Sequence, residues 1–311
     1  MRVASLGRDH FGLRSPRTTS LPGAAGAVAD GRAIALVSNP TTTVVGGVLL
    51  WAQHAAVVLE SVIVDGEAGL VNQWFEGFDP RPAVFGLDGS LLVRPVPPAD
   101  RRARPAPPVP PAFDLADVEV VIEDGVVRAE VDGLEVARLI VHEDGEHRLE
   151  VGVGQYDRAG HKVMSAARTI DKTLGEVVTA VRACRHRGAP AHTYNRLCRE
   201  RWLRSVLVVD PSLVGLVELH PVDPIPARTG LLHTSPAPAI GSDREGVKVL
   251  VNPSAGVDPG LAPSISAVAR REGPARIVVA LPPRDLIAPT RRLLNTLRWP
   301  VETTGIEPPW A

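Results

Sequence analysis

The amino-acid sequence predicts an α/β protein with three successive parts: an N-terminal βαβ unit, a central antiparallel β-meander with a helix, and a C-terminal Rossmann-like βαβ unit. The last third alternates short apolar runs with helical patterns, which is typical of parallel strands covered by helices. Residues 31–93 show the same alternation. Between these parts, apolar runs are separated by Asp-Gly steps, which strongly favour β-hairpins.

Composition agrees with this fold class. Of 311 residues, 44% are hydrophobic but only 4% are aromatic, so the core must consist mainly of Val, Leu, Ile and Ala. Such residues suit buried parallel strands. The length exceeds one typical domain of about 100–200 residues, which indicates more than one domain.

The composition also suggests where the parts begin and end. Residues 1–30 are rich in Arg, Gly, Ser and Pro and lack periodicity, which predicts a flexible arm. An N-terminal α/β unit follows at 31–93. Residues 94–113 combine prolines with arginines, which is typical of an extended linker. We expect the meander and its helices at 114–203, and the C-terminal α/β unit at 204–311.

Individual elements follow from local signals. RAIALVS and VVLESVIVD are predicted strands, and AVFGLDGSLLV is predicted to be a strand or a hairpin. The helix between the first two contains Gly46 and Gly47, each of which weakens it by about 1 kcal/mol relative to Ala. Thr173 and Glu176 form a capping box that predicts a helix start, and Gly188 ends that helix. The apolar run SVLVVD, residues 205–210, is predicted to be a strand.

Charge and cysteine content exclude several classes of protein. A net charge of −1 argues against a surface that is basic throughout and binds nucleic acid everywhere. Two cysteines are too few for a disulfide framework, and neither a signal peptide nor an apolar stretch of membrane-spanning length is visible, so we expect a cytoplasmic protein with no membrane partner. No glycine-rich phosphate loop is complete, the cysteine and histidine spacings do not predict a metal site, and the cofactor stays unknown.

Two strand-to-loop junctions carry small polar residues after Asn-Pro. In an open α/β sheet these positions face a crevice, where hydroxyl and amide groups bind a small-molecule or nucleotide-like ligand. The alternative is ordinary turn and cap chemistry. The candidate ligand-binding residues are Asn39, Thr41, Thr42, Asn252, Ser254 and Asp258.

Asp132 and Glu150 lie on the predicted hairpins. Two carboxylates on adjacent strands can hold a divalent cation beside a phosphodiester, as in PD-(D/E)xK nucleases, which makes these residues candidate catalytic groups. The lysine expected two residues after the second acid is replaced by Gly152. Acidic residues on the solvent face of a hairpin are the alternative.

An arginine-rich segment lies between residues 182 and 204, with Tyr194 and Trp202 interleaved. Such a segment could bind a phosphate backbone and stack on a base. The alternative is a solvated helix face whose Trp202 turns into the core. The candidate nucleic-acid-binding residues are Arg185, Arg196, Arg199, Arg201 and Arg204.

The segments LEVGVGQYDR, HTYNRLCRERWLR, DPSLVGLVELHPV and NPSAGVD resemble a group of conserved hypothetical proteins from high-GC Gram-positive bacteria. The resemblance implies a bacterial cytoplasmic setting and brings no activity or catalytic residue.

The sequence therefore leaves three functions open. The first is a small-molecule or nucleotide-like ligand bound at a strand-end crevice; the others are a metal-dependent nuclease using Asp132 and Glu150, and an interaction module that binds nucleic acid or protein through its arginines. Whether the protein is an enzyme and whether it forms a homo-oligomer are open as well.

Overall fold

The computed structural model describes residues 2–98, 105–141, 145–164, 170–228, 230–231 and 234–310, with the backbone alone at 161–164. The chain divides into two compact units. Unit 1 comprises Met1–Asp100, Val257–Ala275 and Leu286–Val301, and unit 2 comprises Arg101–Gly256, Arg276–Asp285 and Glu302–Ala311.

The sheet of unit 1 has the strand order β1-β2-β3-β4-β5-β6. Strands β3, β4 and β5 are parallel and are connected by helices α2 and α3, whereas the remaining pairs are antiparallel. The elements are α1 (Arg2–Phe11), β1 (Arg17–Leu21), β2 (Ala24–Ala29), β3 (Arg32–Val37), α2 (Thr42–His54), β4 (Val58–Val64), α3 (Ala68–Phe75), β5 (Ala83–Asp88) and β6 (Leu91–Val93).

Residues 1–30 differ from the flexible arm that the sequence predicts, because they contain α1, β1 and β2. Helix α1 buries Val3 and Leu6 in the same cluster as Ile34 of β3. Asp30 and Gly31 both have positive φ, as the tight turn between β2 and β3 requires. The many polar residues of β1 are mostly exposed on the sheet edge, which is why this segment resembles a disordered arm in sequence.

Helices α8 (Leu261–Glu272) and α9 (Ala288–Leu294) belong to unit 1, where both contact α2. A Cβ at Gly46 would lie 1.7 Å from the carbonyl oxygen of Pro259, so only glycine lets α2 approach the loop before α8 this closely. Gly46 therefore weakens α2 locally but permits its packing.

The first sheet of unit 2 is an antiparallel meander in the order β10-β9-β8-β7, as predicted. Asp124-Gly125 and Asp132-Gly133 form two of its turns, and all four residues have positive φ. The elements are α4 (Pro111–Leu115), β7 (Glu119–Glu123), β8 (Val126–Val131), β9 (Leu134–Val141), β10 (His147–Val151), α5 (Gly154–Met164), α6 (Ile170–Cys184) and α7 (Arg199–Val209).

A second sheet has the order β11-β12-β13-β14-β15. Strands β13 and β14 are parallel, with α8 between them in the chain, and β12 is antiparallel to β13. The strands are β11 (Glu218–Pro221), β12 (Ala239–Ser242), β13 (Lys248–Pro253), β14 (Arg276–Leu281) and β15 (Val301–Gly305).

The run SVLVVD is a correction to the sequence prediction, because residues up to Val209 form the C-terminal half of α7 rather than a strand. Leu203 and Leu207 are four residues apart and are both buried in the core of the second sheet. An apolar run this short does not distinguish a helix from a strand by its periodicity. Without this helix, one face of the meander sheet would be uncovered.

The predicted fold class, α/β with both parallel and antiparallel strands, is confirmed. In the predicted linker, residues 99–104 lie outside the described part, and 111–113 begin α4. None of the helices in the described ranges is both long enough and apolar enough to cross a bilayer.

Candidate functional site

The meander sheet has one apolar and one charged face. Val127, Ala129 and Val131 of β8 point to the apolar face and pack with α6. The charged residues of β7, β8 and β9 lie on the other face, where Val121 of β7 also lies. Glu119 pairs with Glu130, and Glu130 with Glu135, across neighbouring strands. Most of these charged side chains are buried; the buried ones are Glu123, Arg128, Glu130 and Glu135.

Helix α7 covers the charged face. Arg201 and Arg204, one helical turn apart, both donate to Oε1 of Glu123, Arg201 Nη1 at 2.6 Å and Arg204 Nη1 at 2.7 Å. Both arginines are at most 2% exposed. Leu203 and Leu207 lie on a neighbouring side of α7 and pack in the core with the second sheet. The same helix therefore contacts the meander through ion pairs and the second sheet through apolar side chains.

Further arginines from outside the meander reach the same face. Arg228 Nη1 donates to Oε1 of Glu130 at 2.8 Å, and Arg158 Nη1 donates to Oε1 of Glu135 at 3.0 Å. Glu135 also pairs with Arg128 at 3.1 Å. We call this group the arginine cluster; its members are Arg128, Arg158, Arg201, Arg204, Arg228, Glu123, Glu130 and Glu135.

The arginine cluster contains more cations than anions. Among the described residues it has five arginines and three glutamates, so its formal charge is +2 when all are ionised. Arg138 and Glu150 form an additional pair at its rim, each about one-third exposed, which leaves the sum unchanged. Glu119, which lies opposite Glu130 on the same face, is not in this sum and reduces the excess. An uncompensated buried charge is costly, so a positive excess favours a bound anion.

Two members of the cluster keep unpaired polar atoms. In the described part of the chain, Arg201 Nε and Nη2 and Glu123 Oε2 are buried without a hydrogen-bond partner. Nε and Nη2 form one edge of the guanidinium group, the edge that binds a carboxylate or phosphate with two parallel hydrogen bonds. The third nitrogen, Nη1, is the one bound to Glu123. Arg201 therefore has one edge occupied and another free.

Arg185 is fully buried beside the cluster, but its donors are used by the backbone. Nε donates to the carbonyl of Asp132 at 2.9 Å, and Nη1 to that of Leu197 at 3.0 Å. The guanidinium carbon lies 4.3 Å from the ring centroid of Trp202. Burial lowers the pKa of Arg185 to about 10. Arg185 fixes the loop before α7 and is unavailable to a phosphate backbone.

The predicted nucleic-acid-binding arginines thus separate into two groups. Arg185, Arg201 and Arg204 are buried, so they lack the exposure that this hypothesis requires. Arg196 is exposed, and Arg199 is half-buried with its guanidinium carbon 5.2 Å from the ring centroid of Trp310. Trp202, which the hypothesis would use for stacking, is 1% exposed. The segment mainly packs within unit 2.

The two candidate catalytic carboxylates do not form a pair. Glu150 lies opposite Arg138 of β9, whereas Asp132 precedes the first residue of that strand by two positions. Four residues separate Leu134 from Arg138, which is roughly 13 Å along a strand. Asp132 and Glu150 therefore cannot share one cation. Within the described ranges, no group of three or more His, Cys, Asp or Glu side chains is placed to hold a metal ion.

Asp132 instead lines a cleft of about 160 Å³ at the end of the meander. Burial raises the pKa of Glu119 there, and the nearby charges of Glu130 and Asp132 add to this. Burial also raises the pKa of Asp132, although Arg185 opposes the shift and the Trp202 indole donates to its carboxylate. The lining residues are Asp117, Glu119, Glu130, Val131, Asp132 and Arg182.

The strand-end candidates lie in both units, and each set is described by itself. In unit 1, Thr41 caps α2 by accepting from the Val44 N–H at 3.1 Å, Thr42 is buried, and Asn39 is exposed in the preceding loop. Asp258 accepts from the Gly260 N–H at 2.8 Å, and burial raises its pKa. Thr41 and Asp258 thus have the cap and turn roles that were the alternative to ligand binding.

In unit 2, Asn252 and Ser254 are each 2% exposed at the end of β13. The Ser254 N–H donates to the carbonyl of Ala280 at 2.9 Å, which continues the pairing with β14. Asn252 Nδ2 is buried and has no acceptor among the described residues. The cavity at the Asp132 cleft does not include either residue.

Sequence reasoning overlooked the glutamates of the charged face, together with Arg128, Arg158 and Arg228. The available signal was the set of charged residues on the predicted hairpins, Glu119 and Glu123 on β7 and Arg128 and Glu130 on β8, whose positions fall on one face. Arg201 and Arg204 also recur at a spacing of three, with Leu203 and Leu207 on a neighbouring side of the same helix. In comparison with known proteins, no family model matches the chain, and no curated protein or solved structure does so either.

Proposed function

We propose that unit 2 binds a small oxyanion, such as phosphate, at the arginine cluster. The observation that carries this proposal is the free edge of Arg201, whose Nε and Nη2 are buried without an acceptor in the described part of the chain. A guanidinium group presents on this edge two parallel donors that match the oxygens of phosphate or carboxylate. Leaving such donors unpaired in a buried site costs about 1–3 kcal/mol or more, so an acceptor is expected there.

The charge of the cluster supports the same chemistry. Five arginines face three glutamates among the described residues, and a bound anion would offset the excess. The residues that would bind it are Arg201 directly and its neighbours through their charge.

This proposal places the ligand at the arginines of α7 rather than at the strand-end crevice or the acidic pair that the sequence suggested. Asn252 and Ser254 remain a second candidate site for a polar ligand group, because Asn252 Nδ2 likewise has no acceptor within the described ranges. Loss of any ligand response in Asn252→Ala, with Arg201 intact, would favour that site. We also propose a cytoplasmic location, which the free thiols of Cys184 and Cys198 support.

The test measures thermal unfolding of the full chain against sodium phosphate at constant ionic strength. A saturable stabilisation is expected, reaching about 2.7 kcal/mol at 100 times the Kd. Arg201→Lys keeps the charge but removes the two-donor edge, so it should abolish the response. Arg196→Lys makes the same change on an exposed arginine in the same segment and should leave the response intact.

Two results would contradict the proposal. Phosphate at high concentration stabilises proteins generally because it is excluded from their surface. A linear response that does not saturate and is identical in Arg201→Lys would have that origin. The absence of any response would mean that ordered water satisfies Arg201, and the cluster would then have a purely structural role.

A further inference from the structure

We infer that unit 1 binds single-stranded nucleic acid at an exposed basic surface formed by α9 and the loop that follows it. This inference is independent of the proposed oxyanion site, because the arginine cluster belongs to unit 2. We call this region the α9 surface; its members are Arg291, Arg292, Asn295, Arg298 and Trp299.

Helix α9 and the turn after it have one apolar and one basic side. The helical pattern continues past Leu294, because the Leu297 N–H donates to the Leu294 carbonyl at 3.1 Å. Side chains three or four positions apart are neighbours on such a surface. The buried side consists of Thr290, Leu293, Leu294 and Leu297. The exposed residues, Arg291, Arg292, Asn295 and Arg298, recur at the same spacing and therefore lie together.

The positive charge of the α9 surface is not offset by its own segment. Residues 286–300 contain three arginines and neither Asp nor Glu. The acidic residues that flank this segment in the chain are already paired, Asp285 with Arg284 and Glu302 with Arg276. Among the described residues, no acidic side chain forms an ion pair with any of the three arginines. The segment therefore keeps a formal charge of +3.

The neighbouring elements of unit 1 do not offset this charge either. Helix α2 contacts α9 and contains no acidic residue. The loop after α9 pairs with residues 77–79, where the Asp79 N–H donates to the Thr296 carbonyl at 2.8 Å and the Arg298 N–H donates to the Gly77 carbonyl at 2.9 Å. Asp79 is exposed, and so is Arg81 two residues later, so their charges cancel.

The α9 surface also contains an aromatic platform. Trp299 is half-buried, and the guanidinium carbon of Arg298 lies 4.4 Å from its ring centroid. A Cβ at Gly77 would lie 2.4 Å from Cζ3 of Trp299, so the indole packs against a position that has no side chain. The indole in turn supports the exposed, planar guanidinium group of Arg298.

This platform favours nucleic acid over an acidic protein as the partner. Nucleobases stack on aromatic rings and on arginine planes, whereas the carboxylates of an acidic protein require only the positive charge. The bases of a duplex are stacked on each other, but a single strand exposes both its phosphates and the faces of its bases. A single strand can therefore use the three cations and the platform together.

The experiment measures binding of a short fluorescent oligothymidylate to the full chain by anisotropy at several NaCl concentrations. We expect the logarithm of the association constant to fall with the logarithm of the salt concentration with a slope of about −2, because each phosphate contact with a single strand contributes about −0.7. Replacing Arg291 and Arg292 together by Gln should reduce the slope to about −0.7 and the affinity about 25-fold at about 0.1 M salt.

A matched control removes two exposed arginines from another part of unit 1. Arg14→Gln combined with Arg17→Gln makes the same change of charge on the chain and should leave the affinity and the slope as they are. Circular dichroism establishes that each variant is folded.

A separate variant tests the platform. Arg298→Lys keeps the charge but removes the planar group, so the slope should stay at about −2 while the affinity falls about fivefold or more. Because Arg298 is exposed, this change should leave the fold intact.

Four results would overturn the inference. The double Arg291 and Arg292 variant could bind as the unaltered chain does, or a duplex could bind as tightly as the single strand. Equal binding of labelled polyglutamate, with no effect of Arg298→Lys, would assign the α9 surface to an acidic protein. Loss of oligonucleotide binding in Arg201→Lys would place the strand at the arginine cluster. Unchanged binding in that variant is the expected result, whether or not the cluster binds an oxyanion.

Discussion

Gly133 lies directly against the backbone of Arg201. A Cβ at Gly133 would be 2.3 Å from the Arg201 carbonyl carbon, and the glycine has a φ of +69°. The turn between β8 and β9 therefore contacts the first turns of α7 without an intervening side chain. This contact places the helix, and with it Arg201 and Arg204, over the charged face of the meander.

Gly133→Ala is expected to destabilise the protein by about 3 kcal/mol or more. The left-handed backbone costs an alanine about 1–2 kcal/mol, and the overlap with α7 adds about 1–3 kcal/mol. Gly188→Ala is the matched control, because Gly188 has a φ of +79° but open space around it. Urea unfolding measures both. If the two variants lose the same stability, the contact with α7 is unimportant.

Glu123→Ala is expected to cost about 3–5 kcal/mol, because it removes the shorter ion pairs of the buried Arg201 and Arg204 and leaves them the longer ones to Glu130, at 3.6 and 3.4 Å. Arg201→Met should cost less, since Glu123 keeps Arg204 and the excess of positive charge falls. The free energy of unfolding of each variant gives the comparison, with exposed Glu307→Ala as a control near zero. A larger loss of stability in Arg201→Met than in Glu123→Ala would mean that the cluster has no excess of cations.

The stability of the protein should fall as the pH rises above the ordinary pKa of Glu119, 4.5. The folded pKa is raised, so the native state binds more protons than the unfolded chain between the two values. The stabilisation is complete below the unfolded pKa and is lost as the pH rises through the folded pKa.

Glu119→Gln should remove this dependence, because the amide oxygen can still accept from Ser205 and the Asp132 N–H. Unfolding measured from pH 4 to 7.5 is the readout. The pKa of Asp132 is raised as well, so a smaller pH dependence of the free energy of unfolding should remain in this variant. An unchanged slope in Glu119→Gln would assign the whole effect to other groups.

The two cysteines should differ in reactivity. Cys198 is buried at the start of α7, with its Sγ 3.7 Å from Arg228 Nη2, and burial raises the pKa of its thiol. Cys184 is only half-buried at the end of α6. Alkylation of the native protein, mapped by mass spectrometry, should label Cys184 first and Cys198 only in denaturant. Simultaneous labelling would indicate that the start of α7 opens readily.

Much of the fold follows from local signals. Asp124-Gly125 and Asp132-Gly133 encode their turns directly, because few other residues tolerate positive φ at consecutive positions. The site does not follow in the same way. Charges alternate with apolar residues at Arg128 and Glu130 of β8, and β7 carries a glutamate at each end. This pattern cannot tell which face another element will cover. The charged face is covered by α7, about 70 residues later in the chain. The sequence alone therefore predicts that Glu123 is exposed to solvent.

Helix α7 also has a consequence for how unit 2 unfolds. Its arginines bind the meander, and Leu203 and Leu207 are in the core with the second sheet, so neither sheet can lose this helix without exposing the other. Local opening at either sheet would have the same free energy as opening of both. We expect slow amide hydrogen exchange in β8 and in β13 to report one cooperative event rather than two.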